Sequence, residues 1–72
     1  MTPAEMRFKR VVRNCLLDGR YPGPVVVLRM LGQHATNLNG RQLRWRAEVL
    51  DPWMKEHPDH PITRKRARLR RL

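Results

Sequence analysis

Cysteine and aromatic side chains are scarce in this chain: one Cys, one Phe, one Tyr and two Trp among 72 residues. A lone Cys15 excludes an intramolecular disulfide and a four-cysteine zinc framework, and it suits a reducing compartment. So short a chain, with so few large apolar groups, can bury one small core and therefore one domain at most. No apolar run is long enough to cross a bilayer, and the first twenty residues alternate basic and apolar types instead of forming a leader. The expectation is a soluble, cytoplasmic protein with no membrane partner. Glycine-rich phosphate loops and usefully spaced carboxylate pairs are lacking too, so the chain reads as a binding protein without enzymatic activity or cofactor. His57 and His60 have ligand-like spacing, but Pro58 and Pro61 keep them off one helical face, and they read as loop residues with no metal site.

Acidic residues are also few, six against 16 Lys plus Arg, leaving a net charge of +10. Such an excess attracts polyanions: nucleic acid first, an anionic membrane surface second, acidic proteins third. Six of the basic residues (Arg64, Lys65, Arg66, Arg68, Arg70, Arg71) fall in the last nine positions, yet residues 1–60 still carry ten basic residues against six acidic. The tail strengthens a bias that the rest already has.

What is present points to helices. In "TPAEMRFKRVVRNCLLDG", Thr2 can cap, Pro3 fits the first helical position and Glu5 completes a capping box. Phe8, Val11, Val12, Cys15 and Leu16 recur at helical spacing, and Asp18-Gly19 stops the helix, which is predicted over 3–18. Cys15 lies on the apolar stripe as inert core, while Arg7, Lys9, Arg10 and Arg13 read as surface charge. "RYPGP" is a turn. Pro24 opens a short helix over 24–31, preferred to a strand that would find no partner in so short a chain.

A third start signal follows at Asn39, with Gln42 closing an Asn-x-x-Gln box and Leu38 and Leu43 at the positions of a hydrophobic staple. At 100° per residue, Leu43, Ala47 and Leu50 are predicted to face the core, with Arg41, Trp45 and Glu48 opposite and Gln42 and Arg44 on the flanks. Pro52 then either kinks this helix or restarts it with Asp51 as cap, giving a short turn through Trp53 and Met54. "EHPDHP" reads as linker. "ITRKRARLRRL" has so little apolar content that it is expected to be disordered alone and helical only on a partner.

This order of a helix, a turn, a short helix ending in Leu-Gly, a connection and a capped helix with outward basic residues resembles a helix-turn-helix DNA-binding domain. It is similar in particular to the small basic helix-turn-helix proteins of actinobacteria and their phages, where segments like "YPGPVVVLRMLG" and "LNGRQLRWRAEVL" occur. The resemblance covers residues 3–51. It implies an all-α, compact three- to four-helix domain over 1–56, followed by a linker and basic tail over 57–72. It also implies that the helix from Asn39 to Asp51 enters a major groove N-terminus first, in a transcriptional regulator or phage regulatory protein acting on duplex DNA, with a homodimer on paired half-sites as one arrangement.

The residue chemistry fits that reading. Arg41 and Arg44 can fork onto phosphate or guanine, Asn39 and Gln42 can pair with adenine edges, and Trp45 can pack on the backbone or stack on an unpaired base. The tail, from Arg64 and Lys65 through Arg66, Arg68, Arg70 and Arg71, would add sequence-independent affinity for phosphates. Bland readings stand beside these: Arg and Gln are ordinary solvated helix formers, Asn39 is explained as a cap, and Trp45 could join Trp53 in a second apolar cluster. An RNA-binding or ribosome-associated protein, an architectural excisionase-like DNA-bending factor, and a protein-interaction module are the competing functions.

Overall fold

The computed structural model describes residues 1–70, and Arg71, one of the expected phosphate contacts, lies outside them. Among the described residues all regular structure is helical: α1 (Pro3–Leu17), α2 (Pro24–Met30), α3 (Gly40–Glu56) and α4 (Pro61–Arg70). The all-α class follows. Thr2 Oγ accepts the Glu5 N–H at 3.2 Å, as its capping position predicts. α1 and α2 stop in the same way. Gly19 and Gly32 have φ of +73° and +76°, and the following residues, Arg20 and Gln33, each donate at 2.8 Å back to Cys15 and Leu28. Both ends are therefore Schellman caps that need glycine in the left-handed region.

α1 is the hub, packing against both α2 and α3. It gives Phe8, Val11, Val12, Cys15 and Leu16 to a core completed by Val27 and Leu28 of α2, Leu38 of the connection, Leu50 of α3 and Ile62 of α4. α1 and α3 run in the same direction, since Phe8 meets Trp45 early in both helices and Leu16 and Leu17 share a groove with Trp53 and Glu56 late in both. Between these contacts Lys9 Nζ lies 2.8 Å from Glu5 and 3.0 Å from Glu48, with its side chain only 9% exposed. Hydrogen bonds to Glu5 and then Glu48 hold this ammonium above the usual lysine value. Cys15 is buried, and burial pushes its thiol up.

Three expectations change. Of the two outcomes expected at Pro52, a restart with Asp51 as cap does not occur: α3 runs through the proline to Glu56. The proline removes the N–H that the Glu48 carbonyl would accept, but both residues are exposed, so water can satisfy that carbonyl. Next, the inward face of α3 is rotated about 70° from the one the apolar residues suggest. Leu43 is 46% exposed, whereas Arg46 is buried beside Leu50, with Val49 and Trp53 also packed inward. The expected staple leucines separate accordingly, Leu38 entering the core.

The tail is the third change. Instead of being disordered alone, residues 61–70 form α4, anchored by Ile62 at 3% exposure. Its start is capped by His60, whose Nδ1 accepts the Ile62 N–H at 3.1 Å, and it is tied to the preceding turn by Thr63 Oγ donating to the His57 carbonyl at 2.7 Å. One apolar anchor and two local polar ties therefore order a segment whose composition reads as solvated.

Charge is unevenly spread over this frame. Glu5 and Glu48 are engaged by Lys9, while Asp18 caps the C-terminal end of α1, and Asp51, Glu56 and Asp59 lie in or after the second half of α3. The carboxylates outside the Lys9 pairings thus gather where α1 and α3 finish. No helix among the described residues is long and apolar enough to cross a membrane.

Candidate nucleic-acid interface

The first turn of α3 is fixed by a full capping box. Asn39 Oδ1 accepts the Gln42 N–H at 2.8 Å, and Gln42 Oε1 accepts the Asn39 N–H at 3.1 Å. Each amide oxygen spends one of its two lone pairs on the helix end, which fixes the amide's orientation, and its NH2 group remains as a donor, suited to a phosphate or to the acceptors on a purine edge.

Arg41 and Arg44 are exposed on the outward side of this helix. The Arg41 guanidinium lies 5.9 Å from the centre of the Trp45 ring, within cation–π range. Trp45 itself does not point outward as expected: it is half-buried against the core, its ring tilted at 54° and 5.7 Å from that of Phe8. It supports Arg41 from below. Arg7 and Gln33, absent from the sequence reading of the site, line a small hollow of 110 Å³ together with Gln42 and Trp45. Only the packing of α1 against α3 brings Arg7 there, and periodicity within one helix contains no such signal.

Arg46, between these positions, turns inward. Its Nη1 donates to the Pro22 carbonyl at 3.2 Å, and burial pulls its guanidinium below the usual arginine value. It is a structural clip, turned away from any ligand on the outward face.

The tail arginines divide into two groups. Lys65 Nζ lies 5.3 Å from the centre of the Tyr21 ring, and Arg66 Nη1 donates to Tyr21 Oη at 3.4 Å, so both are drawn onto the α1–α2 turn. Arg66 Nε is buried without an acceptor among the described residues. Arg46 and Arg66 thus reach the same α1–α2 turn from different helices, one at the Pro22 carbonyl and the other at the Tyr21 hydroxyl. Arg64 and Arg68 stand one turn apart on the exposed side of α4, and Arg70 is exposed near its end. These three are free to meet a polyanion.

His57 and His60 flank Trp53, one ring stacked at 4.2 Å and the other edge-on at 4.8 Å. His57 Nδ1 donates to the Trp53 carbonyl at 2.8 Å. Among the described residues no group of three or more His, Cys, Asp or Glu is arranged to hold a metal ion. No family model matches the chain, and comparison with curated proteins and with solved structures finds no match either.

Proposed function

We propose that this chain is a helix-turn-helix protein that binds duplex DNA sequence-specifically, with the N-terminal turns of α3 in the major groove and α4 along the phosphates. The observation that carries the reading is the outward presentation of Arg41 and Arg44 on a rigidly capped helix, in a chain of net charge +10. Arginine on a preformed helix suits base edges and phosphates alike, because its planar fork loses little freedom on binding. The order α2, connection, α3 matches the motif, although residues 31–39 make a longer link than the usual three or four. Transcriptional or phage regulation is the biological setting this favours.

Selection from a random duplex DNA library by the full-length chain at near-physiological salt tests the proposal. A recurring sequence motif is the expected result. Retention without any motif would replace it with an architectural role carried by charge and DNA shape. Preference for structured RNA over duplex DNA at matched salt would replace it with RNA binding.

A further inference from the structure

Exposed apolar residues on this protein are mostly scattered, as on any soluble surface, with one exception. Leu16 and Leu17 of α1 and Val49, Pro52 and Trp53 of α3 line a groove of 340 Å³ on the end of the molecule away from Arg41 and Arg44. Leu17, at its edge, is 83% exposed. The groove also carries one charge on each wall: Arg13 on α1 and Glu56 on α3. Neither has an ion-pair partner among the described residues, whose salt bridges all involve Lys9.

We propose that this groove is the contact surface for a second copy of the same chain. An isologous interface needs a patch complementary to itself, and an apolar groove with one cation and one anion on opposite walls meets that condition. A two-fold axis along it sets Arg13 of one copy against Glu56 of the other, twice, around a shared apolar centre of Leu17, Pro52 and Trp53. Two chains of net charge +10 repel one another over most of their surfaces. Within the groove the two wall charges, Arg13 and Glu56, cancel, so the contact adds no net repulsion of its own. The inference is independent of the nucleic-acid reading.

Analytical ultracentrifugation of the full chain without nucleic acid, from micromolar to millimolar concentration, tests it. A monomer–dimer equilibrium is expected, holding or strengthening as salt screens the net repulsion. Arg13→Glu and Glu56→Arg should each raise the dimer dissociation constant about tenfold or more, and the double reversal should restore it to within about threefold. Leu17→Lys, at a site too exposed to matter for folding, should leave monomer with an unchanged circular dichroism melt. A monomer throughout the concentration range, a dimer that dissolves at high salt, or charge reversals that weaken association without mutual rescue would each overturn the proposal. Because no nucleic acid is present, none of these results bears on the DNA selection.

Discussion

Arg46 of α3 donates a 3.2 Å hydrogen bond to the main-chain carbonyl of Pro22, so an arginine occupies the inward position that an apolar residue would ordinarily fill on this helix. Its stem packs where a leucine would, and its head satisfies a carbonyl in the α1–α2 turn. Arg46→Ala should cost about 2 kcal/mol, combining lost packing with an unpaired buried acceptor. Arg46→Met, which keeps the stem, should cost less. Urea midpoints read both, and nucleic-acid affinity per folded molecule should stay unchanged, since this arginine is turned away from the surface.

Arg41 and Arg44 should behave in the opposite way. Alanine at either should change folding stability by about 0.5–1 kcal/mol or less, the loss at Arg41 coming from its place over Trp45. Each should cost about 1–3 kcal/mol of binding to the selected DNA sequence while leaving binding to unrelated DNA much less affected. Equal losses on every sequence, in a fluorescence titration, would count against their reading bases.

For α4 the separable quantities are anchoring and charge. Ile62→Ala should cost about 2–4 kcal/mol if the whole fold feels the cavity, and it should expose Arg64, Lys65 and Arg68 to trypsin well before α1 is cut. Arg64→Ala with Arg68→Ala should leave the fold intact and lower the slope of log affinity against log salt by about 0.9 for each phosphate no longer neutralised.

Alkaline pH should weaken the fold in two stages. Burial raises the Cys15 thiol, so the unfolded chain ionises first, and stability falls as pH climbs past the ordinary thiol value of about 8.5. The Lys9 ammonium is raised by Glu5 and Glu48, so its contribution is full below the ordinary lysine value of about 10.4 and is lost as pH rises through the raised one. Cys15→Ala should remove the first decline and Lys9→Met the second, in urea midpoints followed against pH. Native Cys15 should also react slowly with an alkylating reagent until denaturant is added.

Local signals were legible in the sequence: the Thr2 and Asn39 caps, the two glycine stops and the stripe of α1 all lie where residue chemistry puts them. The orientation of α3 was not, because a hydropathy pattern counts Arg46 as polar and Leu43 as apolar, while the tertiary fold buries the first and exposes the second. Nor was α4, since a single isoleucine anchors it and its remaining ties, to His57 and Tyr21, come from polar or aromatic partners. Of the candidate site, Arg41 and Arg44 could be found by helical projection. Arg7 could not, because it reaches the hollow beside Gln42 only through the packing of two helices far apart in sequence.

Asp18, Asp51, Glu56 and Asp59 share their end of the molecule with Arg13, Arg20, Lys55 and the start of α4, so the opposite charges there offset one another in part. Around Arg7, Arg41 and Arg44 the nearby carboxylates are Glu5 and Glu48, both already held by Lys9. Small dissolved anions should therefore accumulate around the start of α3.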